Sequence, residues 1–218
     1  MSSSIVKITR YFLFLSVIMV YVSLSAQELK PIKLPEPQTG IGKPLMEDLK
    51  LRQTSRSFNL KPLSVQDLSN LLWAADGINR PDDGKRTAPS AMNWQEIGIY
   101  VVLADGAYLY DVKTNLLNPV TAGDLREKCG SQDFVKSAPL NLVYVADMSK
   151  VTSKNEDDRT LYTAADCGFI AQNVYLYCAS QNLAVVVRGS VDRGNLAGAL
   201  KLKPEQKIIL AQTVGFKP

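Results

Sequence analysis

DCGFIAQNVYLYCASQNLAVVVRG, residues Asp166–Gly189, has the pattern of a long helix, a short turn and a strand. Apolar residues recur at helical spacing in its first part, and the run Leu183–Arg188 is rich in β-branched residues, which favour strands. We predict the helix from about Arg159 to Asn182. Small side chains on this helix would let the backbone of another helix approach closely: Ala164, Ala165, Gly168 and Ala171.

The segments around this stretch predict an α+β fold. Ser64 and Asp67 form a capping-box pattern that begins a helix, and Gly77 is placed to end that helix near a left-handed turn. Further predicted elements are strands at Ile97–Ala104, Leu140–Ala146 and Lys207–Val214, a strand returning through Tyr108 and Tyr110 after a turn at Asp105–Gly106, and a helix at Asp192–Leu200. Because helices and strands alternate without a strict strand–helix–strand order, we expect mixed α/β layers.

Composition excludes several functional classes. The chain has 218 residues, 46% of them apolar and 21% charged, which is typical of a globular protein. It contains no histidine, so Ser-His-Asp catalysis, Cys-His catalysis and histidine-ligated metal sites are excluded. The net charge of +4 comes without basic runs, so the sequence does not predict nucleic-acid binding.

The N-terminus predicts export. Lys7 and Arg10 precede the apolar run Tyr11–Val22, and small residues lead to Ala26, as in a secretory signal peptide. The apolar run holds 12 residues, whereas a membrane-spanning helix needs about 20, so we expect cleavage rather than an uncleaved membrane tether. The predicted organisation is a signal peptide at 1–26, a Pro-rich extended arm with no core of its own at 27–44, and one domain at 45–218, in the periplasm or outside the cell.

Three cysteines raise the question of a disulfide in an exported chain. Cys167 and Cys178 lie 11 residues apart in one predicted helix, about 16.5 Å, which is too far for a bond between them. Either one disulfide forms through Cys129, or all three are buried thiols that pack as small hydrophobes. We expect the second arrangement.

Three polar segments are candidates for chemistry. RQTSRSF (Arg52–Phe58) places two guanidinium groups around hydroxyls, which suits a phosphate, although a solvated helix end has the same pattern. RTAPSAMNWQEIGIYVV (Arg86–Val102) offers the Asn93 amide just before a strand, either for a flat polar ring or for its own backbone. In the third segment, Gln172 and Asn173 need hydrogen-bond partners, and for these two we favour a structural role.

In this order and spacing, the three segments resemble the FMN-dependent nitroreductase superfamily. The similarity runs from about Leu45 to the end of the chain and is closest to the azoline-peptide dehydrogenases, flavin enzymes that aromatise thiazolines and oxazolines. The stretches that carry it are LLWAADGINR (Leu71–Arg80), PSAMNWQE (Pro89–Glu96), QNVYLYCASQNLAVVV (Gln172–Val187) and TVGF (Thr213–Phe216). The resemblance implies a central, mostly antiparallel sheet flanked by helices. It also implies a homodimer with FMN at the interface and the long helix, near Gly168, in the dimer core.

The resemblance implies a role for individual residues. Arg52 and Thr54 match positions that hold the FMN phosphate and ribityl chain, and Arg56 matches a basic residue near the pyrimidine edge. The other implied cofactor-binding residues are Pro89, Ser90 and Asn93 along the isoalloxazine, Arg188 and Gly189 near the turn that approaches N5, and Lys217 in place of a longer basic C-terminus. Glu96 and Ile97 depart from the family pattern, because many nitroreductases have Pro and Trp there. No metal is expected, and no catalytic residue is assigned.

The expected function is an FMN-dependent oxidoreductase of nitroreductase type. It would transfer a hydride, or two electrons, from a reduced donor to an electron-poor or heterocyclic small-molecule acceptor. Relatives in the cytoplasm use NAD(P)H, and no donor is assigned to this exported chain. Since flavin carries the redox chemistry, a histidine-free enzyme is chemically reasonable. The alternative is an exported flavin-binding or partner-binding module without turnover.

Overall fold

An antiparallel sheet of seven strands forms the centre of the computed structural model, which describes Glu28–Pro218. The predicted signal peptide at 1–26 lies outside the described residues. The strands of the sheet are β1 (Ile32–Lys33), β4 (Ile97–Val102), β5 (Gly106–Asp111), β6 (Leu116–Ala122), β7 (Leu140–Asp147), β8 (Leu183–Arg188) and β9 (Gln206–Phe216). Their spatial order is β1-β6-β5-β4-β7-β9-β8, and every neighbouring pair is antiparallel. A separate hairpin joins β2 (Ile78–Arg80) to β3 (Lys85–Arg86).

Helices cover both faces of the sheet, as expected for an α+β fold. They are α1 (Leu45–Leu51), α2 (Val65–Asp76), α3 (Asp133–Ser137), α4 (Glu156–Ser180) and α5 (Arg193–Ala199), with single 3-10 turns at Ala91–Asn93 and Arg126–Cys129. One apolar core lies between the sheet and the helices α2 and α4. A second core lies on the opposite face, under α3, α5 and the Arg126–Cys129 turn. Helix α4 is the long helix predicted from about Arg159 to Asn182. It begins three residues before that predicted start and ends two residues before that predicted end.

The N-terminus of α2 has the predicted capping box. Ser64 Oγ accepts the backbone N–H of Asp67 at 3.0 Å, and the Asp67 carboxylate accepts the N–H of Ser64 at 3.1 Å. Gly77 does end the helix, but the predicted left-handed turn is wrong, because its φ of −70° and ψ of 160° are extended. Space explains the glycine instead: a Cβ there would lie 2.4 Å from the Trp73 ring.

The described part of the Pro-rich arm, 28–44, pairs with the sheet and packs against the core of the domain. Its residues Ile32–Lys33 pair with β6, and Leu34 is only 2% exposed. Asn115 donates from its amide to the carbonyl of Pro35 at 2.8 Å, which fixes the arm beside the sheet. The arm therefore adds an edge strand and an apolar side chain to the domain.

All three cysteines are buried free thiols. Burial raises the pKa of Cys129 and of Cys167 to about 12, so both thiols stay protonated at neutral pH. Their surroundings are therefore those of packing residues.

Among Glu28–Pro218, no helix has both the length and the apolar character needed to cross a bilayer.

Candidate functional site

The predicted phosphate segment runs along the outer edge of β8, the last strand of the sheet. The Ser55 N–H donates to the carbonyl of Val185 at 2.9 Å, and the Val187 N–H donates to the Tyr175 hydroxyl at 2.9 Å. A terminal strand leaves backbone groups on its free side, and these contacts satisfy two of them. The Ser55 backbone bond thus places Arg52–Phe58 beside β8.

Arg52, Thr54 and Arg56 form a cluster of donors on this segment. The Thr54 hydroxyl lies 3.1 Å from the Tyr175 hydroxyl, and the Arg52 guanidinium carbon lies 5.4 Å from the centre of the Tyr175 ring. Within the described part of the chain, neither Arg52 nor Arg56 has a carboxylate within ion-pair distance. Two guanidinium groups without carboxylate partners, beside a hydroxyl, can bind a phosphate.

The second predicted segment forms a strained loop. Pro89 and Ser90 enter it, and three residues near its end have positive φ: Met92 at 49°, Asn93 at 57° and Gln95 at 47°. Left-handed backbone costs energy for residues other than glycine and persists where surrounding contacts enforce it. The Asn93 side chain is exposed and its Oδ1 accepts from Gln95 Nε2 at 3.1 Å. The loop therefore exposes the Asn93 side chain, and the surrounding contacts enforce the backbone conformation that positions it.

A cavity of about 310 Å³ lies against this loop. Pro89, Ser90 and Asn93 line it together with the carboxyl groups of Asp76, Glu96 and Asp166. Asp76 is ion-paired with Arg86. Burial raises the pKa of Asp76 to about 7, and the Arg86 guanidinium opposes that shift. The cavity thus contains buried acidic groups immediately behind the predicted isoalloxazine loop.

The two predicted cofactor segments contact α4 at different points. Tyr175 contacts Thr54, and the Asp166 carboxylate accepts the Ala91 N–H of the loop at 2.8 Å. These helix residues are nine positions apart, which places them roughly 13 Å apart along the axis and on opposite sides of it. The two segments therefore contact different sides of α4 within one chain.

Arg188, Gly189 and Lys217 lie in different surroundings from one another. Arg188 is 5% exposed, and its guanidinium donates to the carbonyl of Cys129 and to the side chains of Asn141 and Thr213 at 2.6 to 2.9 Å. These contacts tie β8 to β7, β9 and the Arg126–Cys129 turn, so the structure gives Arg188 a packing role. Gly189 is exposed directly after β8, and the Lys217 ammonium donates to Asn182 Oδ1 at 2.7 Å.

The sequence did not predict a site role for Asp166 or Tyr175. It singled out Glu96 only because this residue departs from the nitroreductase pattern. Asp166 is 3% exposed and stands in a largely apolar part of α4, which is a signal that could have marked it. Of the two amides, Asn173 donates to the carbonyl of Ala75 at 3.3 Å, whereas Gln172 is exposed. The structural role expected of the two amides therefore fits Asn173, whereas Gln172 is exposed and does not need a partner from the protein.

Apolar side chains remain exposed on α1 and α4. Their exposed fractions range from 43% to 76%. The residues are Leu45, Met46 and Leu49 on α1, and Leu161, Tyr162 and Phe169 on α4. Gly168 lies on the same exposed stripe, and a Cβ there would meet nothing within 4 Å. Such a surface is typical of a protein–protein interface.

Comparisons with known proteins agree with this architecture. The profile described as the nitroreductase family matches residues 49–216. A nitroreductase-family protein of Methanocaldococcus jannaschii is 29% identical over 190 residues, covering 80% of this chain and 94% of its own. A crystal structure of a nitroreductase-family protein from Ralstonia eutropha JMP134 is 44% identical with a TM-score of 0.83, covering 87% of this chain and 90% of that one. The fold is also shared with the NADPH:FMN oxidoreductase of Vibrio harveyi, at 22% identity and a TM-score of 0.59, over 79% of this chain and 68% of that one.

Proposed function

The chain belongs to the nitroreductase family, and from that premise we propose that it is an exported FMN-dependent oxidoreductase. It transfers a hydride, or two electrons, from a reduced donor to an electron-poor or heterocyclic small molecule. The observation that carries the proposal is the donor cluster of Arg52, Thr54 and Arg56, whose guanidinium groups have no carboxylate partner among the described residues. The residues present therefore fit an anionic cofactor.

In this proposal the flavin supplies the redox chemistry when it is bound, and the protein binds and orients it. Arg52 and the Thr54 hydroxyl would hold the phosphate and the ribityl chain. Arg56 would be the cation at the pyrimidine edge, where a positive charge favours negative charge on that ring. The loop from Pro89 to Asn93 presents its amide to the flat ring, and its enforced left-handed backbone keeps that amide in place.

A second copy of the chain completes the site. The donor cluster and the Asn93 loop lie on opposite sides of α4 within one chain, so each must meet the other segment of a partner. The exposed apolar residues of α1 and α4, with the open surface at Gly168, supply a face for that partner. We place FMN at the interface of a homodimer, with α4 in the dimer core.

Export bears on the donor and the acceptor. NADPH appears in the name of the Vibrio harveyi oxidoreductase, but an exported enzyme needs a reductant that is present outside the cytoplasm. The acceptor class is broad and includes nitroaromatics and quinones. An azoline heterocycle would instead be the reduced donor, because it loses a hydride and a proton when it is aromatised. Mass spectrometry of the mature protein should give an N-terminus at Gln27; an intact Met1 would remove the export part of the proposal.

The experiment that tests the function is chromophore analysis of the full-length protein as it is produced in cells. We expect yellow protein that releases about one FMN per chain on denaturation, and reduced protein that is reoxidised by a quinone or nitroaromatic faster than free flavin. Combined Arg52→Ala and Arg56→Ala substitution should remove the FMN, while Lys61→Ala, a nearby cation outside the cluster, should retain it. Colourless protein that takes up no added FMN would overturn the assignment, and yellow protein without faster reoxidation would favour the non-catalytic module.

A further inference from the structure

The Pro89–Asn93 loop needs contacts that hold it against its own strain. Met92, Asn93 and Gln95 all have positive φ, and none of them is glycine. Backbone of this kind relaxes unless neighbouring groups determine it. The contacts that fix the loop from behind are therefore as important for its shape as its own sequence.

Two carboxyl groups make those contacts. Asp166 Oδ2 accepts the Ala91 N–H at 2.8 Å, and Glu96 Oε2 accepts the Ser90 hydroxyl at 3.3 Å. Ser90 Oγ in turn accepts the Gln95 N–H at 2.8 Å, which links both ends of the strained stretch. Glu96 and Asp166 thus hold adjacent residues of the loop from two different elements, the entry to β4 and the middle of α4.

Glu96 is the unusual member of this pair. It is 1% exposed, and its Oε1 accepts no N–H or O–H from any residue between Glu28 and Pro218. A buried carboxylate oxygen without a donor is costly. Glu96 and Asp166 line the same cavity and hold neighbouring residues of the loop. A proton on Glu96 would remove the cost of a buried charge and give this side chain an O–H donor.

The charged and titratable neighbours favour retention of that proton. α4 contributes Asp166 and the neutral thiol of Cys167, and α2 contributes Asp76, which is paired with Arg86 from β3. The Lys150 ammonium is directed to the carbonyl of Gln95, at 3.1 Å. Burial, followed by the negative charge of Asp166, raises the pKa of Glu96.

We propose that Glu96 and Asp166 form a carboxylic acid–carboxylate pair that shares one proton and fixes the Pro89–Asn93 loop in the shape that faces the cofactor. Glu96 and Asp166 are positioning residues that act through Ser90 and Ala91. The effect of this pair on flavin binding rests on the proposed function, whereas its effect on the structure of the loop does not.

The pair gives the loop a defined dependence on pH. Because the pKa of Glu96 is raised in the folded protein, its stabilising contribution is complete below the ordinary value of 4.5 and is lost as pH rises through the raised value. Above that pH two carboxylates repel each other behind the loop. The loop should then loosen, and FMN should bind less tightly above that pH.

The test compares wild type with Glu96→Gln over a pH range that starts below 4.5, the ordinary pKa of a glutamate, and extends into the alkaline range. The amide of the variant can donate to Asp166 and accept from Ser90 without titrating, so it reproduces the protonated acid at every pH. In the protein without flavin, amide hydrogen exchange should show protection of Ala91 and Gln95 that falls with rising pH in wild type only. Glu127→Gln, on an exposed glutamate, is the matched control and should behave like wild type.

Flavin binding is the second measurement. The dissociation constant of wild type for FMN should increase with pH, by about tenfold in total for each unit by which bound FMN shifts the pKa of Glu96, and that of Glu96→Gln should stay constant. If Glu96→Gln folds poorly, Asp166→Asn should move the pH dependence of loop protection to lower pH. Identical pH dependence of protection in wild type and Glu96→Gln would overturn the proposal. Failure of every protein to bind FMN would overturn the proposed function, while the exchange data would still decide the role of the pair.

Discussion

Tyr175 joins three parts of the molecule through one hydroxyl group. It accepts the Val187 N–H from β8 and contacts the Thr54 hydroxyl, and its ring lies under Arg52. Tyr175→Phe should leave the Val187 N–H without a partner in a partly buried position. We expect a loss of about 1 to 2 kcal/mol in the free energy of unfolding, measured by urea denaturation.

Tyr162→Phe is the control for that measurement, because this hydroxyl is on an exposed residue of the same helix. Its effect should be close to zero. Equal stability of Tyr175→Phe and wild type would mean that the hydroxyl does not support the β8 edge.

Arg56 is the residue assigned to the pyrimidine edge of the flavin. A cation there stabilises the anionic reduced form, so Arg56→Ala should lower the flavin midpoint potential, by about 30 mV if the lost stabilisation is about 1.4 kcal/mol. Spectroelectrochemical titration of the bound flavin measures the potential. Arg56→Lys should retain most of the wild-type value, and an unchanged potential in flavin-loaded Arg56→Ala would refute the assignment.

Helix α2 depends on its capping box. Ser64 and Asp67 satisfy two backbone N–H groups that the helix itself leaves free. Ser64→Ala should therefore lower the free energy of unfolding by about 1 kcal/mol, as measured by thermal or urea denaturation. Ser57→Ala, an exposed serine outside any helix, should have no comparable effect; similar losses in both variants would argue against the cap.

Elements with strong local patterns were predictable from sequence. The apolar runs of β4, β7 and β8, the helical period of α4 and the cap of α2 are local signals, and the structure confirms them. β6 was not predicted because Pro119 interrupts its sequence; the structure accommodates that proline in a strand whose β1 partner covers only Leu116 and Leu117. Gly77 was misinterpreted because its need for space depends on the Trp73 ring, which local backbone rules do not include.

The candidate site was less predictable than the fold. RQTSRSF and the Pro89–Asn93 loop carry polar groups that a sequence motif can indicate. Glu96 and Asp166 lie 70 residues apart, and they line one cavity only because α4 packs behind the loop. Arg188 shows the opposite case: its position suggested the cofactor, but burial and three protein acceptors give it a packing role.

At the scale of the whole molecule, the exposed face of α1 and α4 predicts self-association. Phe169→Glu places a charge beside Gly168 at the proposed dimer core, so it should shift the protein to monomer in analytical ultracentrifugation and lower its FMN content. Leu60→Glu introduces the same charge at an exposed apolar residue outside both helices and should leave the dimer intact. A Phe169→Glu protein that stays dimeric and fully loaded would contradict the proposed interface.

The segment that supplies Arg52, Thr54 and Arg56 also covers the outer edge of β8. In the proposed function, an anionic cofactor bound to these donors would hold this stretch of backbone more firmly against β8. A chain without the proposed cofactor should hold this cover less firmly, and an uncovered terminal strand is a template on which other chains can add strands. Binding of the proposed cofactor would therefore also lower the tendency of the protein to aggregate.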